Sequence, residues 1–265
     1  MADDEKAAAA RAKTAHPQRG SRGSRGAGGD APRRGSGGRK PRATLSLEAI
    51  VEGAVEMLDG PDGEAGLTFR GLAAQLGGGV GSIYWYVKSK DELVQLAADA
   101  VIARVVPVVE EQREAPPLEA IRAVSVALFH EMEAHPWTAA HFMHDMELQE
   151  NSLVFWEGIG QHLLRLDLTD RQRFQAVSAV VNYVVGMGAQ MAIEQAPEPE
   201  PGENPDEMRE RYLGEWADTW MQRDPEAFPF ARSMAPIFRD HDDFEQFVAG
   251  LDLILAGLQR QAGLA

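Results

Sequence analysis

The chain has 265 residues, 44% of them apolar, enough to fill one large or two modest cores without external staples. It contains no cysteine, which excludes disulfides, zinc–thiolate centres and thiol catalysis and leaves histidine and carboxylates as the candidate metal ligands. The net charge of −15 hides an asymmetry, because residues 1–43 hold 11 Lys and Arg against 4 Asp and Glu, so that a basic leader precedes an acidic remainder.

That leader, with its GSRGSRG and PRRGSGGRKPR runs, has almost no large apolar side chain and cannot bury enough surface to offset the entropy of ordering. It reads as a disordered basic arm over residues 1–43, suited either to a polyanion or simply to solubility. The opening MADDEKAAAA lacks a basic segment leading into an apolar one, so no secretory signal is expected. The longest uncharged run, from Phe174 to Ile193, is interrupted by Gln175, Ser178, Asn182 and Gln190. These features predict a soluble, cytoplasmic chain with no membrane partner.

From Ser46 the pattern becomes helical, with Leu47, Ile50, Ala54 and Leu58 on one stripe, and Asp59-Gly60-Pro61 ends it. Thr68 suits the N-cap of a short second helix whose Leu72, Ala73 and Leu76 face inward. Gly77-Gly78-Gly79 breaks that helix, and a third segment, Val80 to Val87, turns Ile83 and Val87 toward the same core. Ser89-Lys90-Asp91-Glu92 has capping-box spacing, in which Ser89 and Glu92 satisfy each other's orphan amides. It opens a fourth helix through Leu93, Leu96, Ala97, Ala100 and Val101 that weakens near Pro107. Further helices are predicted near 118–134, 137–147, 150–166, 170–196, 205–223, 229–239 and 243–260, with 196–205 an exposed loop. No stretch alternates with period two, so the fold class is all-α. The expected architecture is an N-terminal three-helix helix-turn-helix domain over 44–106 and a helical ligand-binding and dimerisation domain over 107–265.

The informative stretch runs from Leu67 to Leu93. Two short helices joined by a glycine-containing turn, with one apolar face between them, form a helix-turn-helix that presents its second helix to the major groove of double-stranded DNA. Thr68, at a helix N-terminus, offers a hydroxyl and free amides to a phosphate, and Arg70 has the two-pronged donor geometry that suits a guanine edge. Val80, Gly81 and Ser82 open the third segment, where small side chains allow close approach to bases. Tyr84, Trp85 and Tyr86 are consecutive, so they cannot all enter one core and at least one must face outward. Lys88 and Lys90 add phosphate-directed charge. A phosphate-cradling loop is the competing reading of GGGVGS; it fails because the run follows a helix rather than a strand and lacks the lysine of a P-loop. Residues from Leu45 to Val106 include 4 basic and 9 acidic ones, so non-specific affinity must come from focused charge, helix N-termini and the arm.

LTFRGLAAQLG followed by SIYWYVKSKDEL resembles the DNA-binding signature of the TetR family over roughly Thr44 to Arg104. The resemblance implies phosphate contacts at Thr68, Tyr84, Tyr86 and Lys90, and base contacts at Arg70, Val80, Gly81, Ser82 and Trp85. It also implies a homodimer on a palindromic operator, released by a small molecule. The chain departs from the pattern in having Gly78 and Gly79 where an apolar residue usually follows the turn glycine, and Tyr86 where histidine is common. The C-terminal FEQFVAGLDLILAGL is similar to the last helix of the tetracycline-repressor-like body.

Within the body, the 170–196 helix carries two apolar stripes, one through Phe174, Val177, Val181, Val184, Gly188 and Met191, the other through Ala176, Val180, Tyr183 and Met187. With the 243–260 helix it predicts a four-helix interface between two copies of the chain. A surplus of aromatic and Met side chains suits an apolar effector cavity, lined by Phe129, Trp137, Phe142, Met146, Trp156, Tyr183 and Met187, with His141 and Asn182 to orient the ligand. His130, His135, His141 and His144 lie among acidic residues and invite a metal-dependent hydrolase as the rival reading, although HExxH spacing is missing. A constitutive DNA-binding protein without effector is the other rival. The sequence thus predicts a ligand-responsive repressor, not an enzyme, with no catalytic residue, metal or cofactor assigned.

Overall fold

A computed structural model describes residues 45–264, apart from Met146, Leu148, residues 194–201 and Glu203. The basic arm, Met146 and most of the 196–205 loop therefore lie outside the described residues.

Every regular element among the described residues is helical, and none is a strand. In order they are α1 (Leu47–Leu58), α2 (Gly63–Gly66), α3 (Phe69–Gln75), α4 (Val80–Tyr86), α5 (Lys90–Ala103), α6 (Val106–Glu111), α7 (Pro117–Ala134), a 3-10 turn (Pro136–His141), α8 (Glu150–Leu164), α9 (Asp170–Ile193), α10 (Pro205–Met221), α11 (Pro229–Arg239) and α12 (Asp243–Gln261). Among the described residues, no helix is long and apolar enough to cross a membrane.

Local chemistry explains the boundaries. Ser46 caps α1 by accepting the Ala49 amide at 3.2 Å, and Thr68 caps α3 by accepting that of Gly71 at 3.1 Å. Ser89 likewise accepts the Glu92 amide at 3.0 Å, but the reciprocal bond of the expected capping box is displaced. The Glu92 carboxylate takes the Lys88 amide, at 2.7 Å, rather than that of Ser89. Pro107 does not fade out the fourth helix; α5 ends at Ala103, and Pro107 sits in the first turn of α6, where its missing N–H costs nothing. The helix expected over 137–147 is reduced to the 3-10 turn, after which Met143 takes a positive φ of 53°.

Two apolar cores form. One gathers Ile50, Ala54, Leu67, Leu72, Ile83, Val87, Leu93 and Ala97 from α1 to α5. The other packs Phe129, Phe155, Ile159, Val180, Val184, Phe247 and Leu251 from α7, α8, α9 and α12. Helix α5 serves both, giving Leu93, Ala97 and Val101 to the first core and Ile102 to the second.

A polar seam crosses between the cores. Asp99 on α5 is nearly buried, and its carboxylate accepts the Ser152 amide at 3.1 Å and the Asn151 side-chain amide at 2.7 Å. It thereby caps α8 from a neighbouring helix, since the α8 N-cap residue, Gln149, makes no side-chain cap bond. Gln149 instead donates to the Gln95 side chain at 2.8 Å. At the far end of the seam, Asp59 Oδ1 lies 2.8 Å from both His135 Nδ1 and Trp137 Nε1. Arg104 donates to His135 Nε2 at 2.6 Å; a guanidinium only donates, so Nε2 is the acceptor and Nδ1 carries the proton given to Asp59.

Helices α9 and α12 are locked by Tyr183, whose hydroxyl is shared between the carbonyl oxygens of Gln246 (3.2 Å) and Phe247 (3.1 Å) while its ring stacks on Phe247. The hydroxyl occupies the space that a Cβ at position 250 would need, which is why glycine stands there.

Candidate functional site

The helix-turn-helix rests on one conformational requirement. Gly77, at φ +66°, directs its amide to the Ala74 carbonyl at 3.3 Å, and Gly78 reaches the Ala73 carbonyl at 2.9 Å. This doubly bonded left-handed cap closes the end of α3 and turns the chain toward α4. Gly78 and Gly79 meet no such demand: their φ values are not positive, and a Cβ would find ordinary contact at 78 and open space at 79.

Helix α4 is held by its inner face alone. Ile83 is fully buried and anchors it, whereas Tyr84 is 58% exposed and Trp85 is 79% exposed. The three consecutive aromatics therefore divide. The Tyr84 ring packs edge-on against Phe69 of α3 at 4.9 Å, Trp85 stands outward, and Tyr86 is half-buried. Gly81 and Ser82 are exposed and Val80 is half-buried at the open end of α4. Thr68 and Arg70 are exposed at the start of α3, and Arg70 makes no hydrogen bond or ion pair with the described residues.

Two residues expected at phosphates have partners inside the protein. The Tyr86 hydroxyl donates its proton to the Leu45 carbonyl at 2.7 Å, so it ties the start of the folded region to α4. Lys90 Nζ donates to the Glu64 carbonyl and lies 3.9 Å from the Glu64 carboxylate, bracing α5 against α2. Lys88 remains exposed.

Of the residues expected around an effector, Phe129 and Met187 belong to the body core and Phe142, Trp156 and Tyr183 pack against it, whereas Trp137 packs against the other core. Phe129 is fully buried and stacks on Phe247 at a centroid distance of 4.1 Å, as a core residue. Trp137 packs against the helix-turn-helix core and spends its N–H on Asp59. His141 lies 3.2 Å from Gln95 Nε2 and 3.7 Å from a Glu64 carboxylate oxygen. Burial, assisted by the charge of His144, holds its pKa below the ordinary histidine value against the pull of Glu64 and Asp91. Phe142 sets its ring edge-on to Phe155, Trp156 packs partly buried on the body core, and Met187 is buried. Tyr183 is committed to α12, and Asn182 is exposed on α9. Met146 lies outside the described residues.

The open clefts formed by described residues include two of note. One, of about 450 Å³, includes His141, Gln95 and Asp91; the other, of about 860 Å³, lies between α6 and α8 and contains none of the residues expected around an effector. The four clustered histidines find four different surroundings: His130 faces Glu133 at 3.2 Å, His135 joins Asp59 to Arg104, His141 meets Gln95, and His144 is exposed. Among the described residues no group of three His, Asp or Glu side chains is arranged to hold a metal ion.

Composition and periodicity gave no sign of the contacts that Asp59, Asp99, Gln95 and Gln149 make across the seam, among them Asp59 with Trp137, Asp99 with Asn151 and Ser152, and Gln95 with Gln149. Asp59 reads as a helix terminator.

A compact helical domain whose fourth helix buries Ile83 and leaves Trp85 on its outer side, joined to an all-helical body, defines a helix-turn-helix regulator of the DNA-binding class. The chain belongs to the TetR family of transcriptional regulators: residues 118–262 match the family model described as tetracyclin repressor-like, C-terminal domain. It is 30% identical over 247 residues to the HTH-type transcriptional repressor DrrR1 of Streptomyces coeruleorubidus, an alignment that covers 87% of this chain and 82% of that protein. Among solved structures, a TetR transcriptional regulator from Streptomyces coelicolor is 35% identical with a TM-score of 0.68, covering 82% of this chain and 99% of that one. The TetR-family protein ActR of the same organism, solved in complex with actinorhodin, is 25% identical with a TM-score of 0.66, covering 83% and 100% of the two chains.

Proposed function

We propose that this protein is a cytoplasmic, homodimeric repressor that binds a palindromic operator and is released from it by a small hydrophobic effector. The observation that carries the reading is the division of α4, with Ile83 wholly buried while Trp85, two residues on, is 79% exposed. The indole touches the Tyr86 ring edge-on at 4.7 Å but buries little of its own surface on this seven-residue helix, whereas a groove supplies sugar, thymine methyl and phosphate partners for it. In this reading Trp85, Ser82, Gly81, Val80 and Arg70 address bases, and Thr68 and Tyr84 address phosphates. Tyr86 and Lys90 act one step back, holding α4 and α5 in register with them.

Two copies associate through α9 and α12, where Phe174 and Leu253 are exposed. The domain division remains near residue 106, at the junction of α5 and α6. The effector changes the tilt of α5 through the seam at Asp99, Gln149 and Asp59, and so alters the spacing of the two recognition helices. ActR with its bound actinorhodin, and the repressor DrrR1, supply the analogy for ligand release and for repression.

Selection of bound sequences from random duplexes tests the proposal. A palindrome is expected, with Trp85→Ala weakening the selected site by at least about tenfold, equivalent to one lost base-edge or stacking contact of about 1–3 kcal/mol. Recovery of no enriched sequence, or full affinity in the Trp85→Ala protein, refutes it.

A further inference from the structure

One end of the polar seam is a chain of side-chain amides whose donors and acceptors are dictated by the backbone. Gln149 is fully buried, with Oε1 accepting the His144 amide at 3.0 Å and Nε2 donating to the His141 carbonyl at 2.5 Å. A backbone N–H only donates and a carbonyl only accepts, so the two ends of this carboxamide cannot exchange places. Its Nε2 also donates to Gln95 Oε1 at 2.8 Å, which leaves Gln95 Nε2, nearly buried on α5, as the donor 3.2 Å from His141 Nδ1. His141 Nδ1 is therefore a bare acceptor, and the neutral ring carries its proton on Nε2, 3.7 Å from a Glu64 carboxylate oxygen of α2.

A proton arriving at Nδ1 finds no acceptor in this arrangement, because it meets the Gln95 NH2 group. Turning Gln95 over would set its NH2 against Gln149 Nε2, and turning Gln149 as well would set donor against donor at His144 and acceptor against acceptor at His141. The imidazolium has to leave Gln95 instead. Water reaches the ring through the cleft of about 450 Å³, where the charged and titratable groups facing it are Glu64 of α2, Asp91 and Glu92 of α5, and His144 and Asp145 beyond the 3-10 turn. Glu92 is engaged with the Lys88 amide and Asp145 with that of Glu147, while Lys90 lies 3.9 Å from the Glu64 carboxylate. Burial and His144 resist the charge, whereas Glu64 and Asp91 attract it, and burial prevails, so the change falls below the ordinary histidine value.

We propose that His141 is a proton-operated clasp: neutral, it accepts from Gln95 and ties the 3-10 turn to α5; protonated at Nδ1, it releases Gln95 and pairs with Glu64 of α2. Acidification thus moves the hold of the 3-10 turn from α5, which serves both cores, to α2 on the helix-turn-helix side. The clasp does not depend on operator binding. A chain that selected no duplex would still show it, so the two proposals fail separately.

Nitrogen-resolved NMR of the full chain from about pH 7.5 to about pH 5, the window in which imidazole titrates, reads both partners. The His141 ring is expected to pass from the neutral tautomer with its proton on Nε2 to the doubly protonated form, and the Gln95 side-chain amide to shift with the same midpoint. His141→Asn, which has no group that titrates in this window, should abolish the Gln95 step. Glu64→Gln, at an exposed position, should keep the step and move the shared midpoint to lower pH, because it removes the carboxylate that draws the proton. A Gln95 signal that holds still while His141 titrates, a step that survives in His141→Asn, a midpoint unmoved by Glu64→Gln, or a neutral ring with its proton on Nδ1 overturns the proposal.

Discussion

Replacing Asp59 by alanine removes one carboxylate oxygen that accepts two hydrogen bonds, from His135 and Trp137, each at 2.8 Å. The His135 side chain is only 11% exposed and Asp59 itself 31%, so the bonds are partly screened and contribute about 1 kcal/mol each, below the full value for a charged acceptor. The larger cost falls on the imidazole. Its Nε2 is occupied by Arg104, so Nδ1–H cannot turn to another acceptor and becomes a buried donor without a partner, at about 1–3 kcal/mol. Asp59→Ala should therefore destabilise the protein by about 2–4 kcal/mol, a large part of a typical folding free energy. Asp59→Asn, which keeps a neutral acceptor in the same place, should cost about 1 kcal/mol. Urea unfolding reads both as shifts of midpoint at constant slope. A loss below about 0.5 kcal/mol in the alanine variant would mean that the seam does not join the two cores as described.

Ile83→Ala should destabilise by about 2–4 kcal/mol, because the side chain is fully buried, whereas Trp85→Ala should change stability by less than about 0.5 kcal/mol; equal effects in thermal melts would refute the one-sided anchoring of α4. Gly250→Ala forces the Tyr183 hydroxyl off the Gln246 and Phe247 carbonyls and should cost about 1–3 kcal/mol, with Tyr183→Phe, Gly250→Ala less impaired than Gly250→Ala alone, as urea titration would reveal. His141 and His162 both have folded pKa values lowered chiefly by burial, so the unfolded chain takes up their protons first as the solution is acidified. Their contribution is fully present above the ordinary histidine pKa near 6.5 and is lost as pH falls through the lowered folded values. Unfolding midpoints at pH 7.5 and 5.5 should differ less in His162→Gln than in the parent, and an undiminished difference would assign the acid sensitivity elsewhere.

Helix caps and core stripes were legible in the sequence because they are local. Thr68 and Ser89 cap where hydroxyl-before-stripe spacing places them, and Ile83 and Val87 enter the core that their period implies. What the sequence does not encode locally is which partners its polar and aromatic side chains find. Trp137 and Phe129 share aromatic character, but the first packs on the helix-turn-helix core and the second is filler in the body, a distinction set by tertiary contacts alone. Tyr86 sits beside two exposed aromatics, yet its partner is the Leu45 carbonyl, 41 residues earlier. Pro107 is ambiguous for another reason: a proline that ends one helix is equally able to begin the next, and here it lies in a first turn.

The capping of α8 by Asp99 makes one helix a gauge of another's position. Should α5 slide away, the Asn151 and Ser152 groups lose their acceptor, and the opening turn of α8 frays although its own residues are untouched. Deuterium uptake at the Ser152 amide would then report, in real time, the position of α5 against α8.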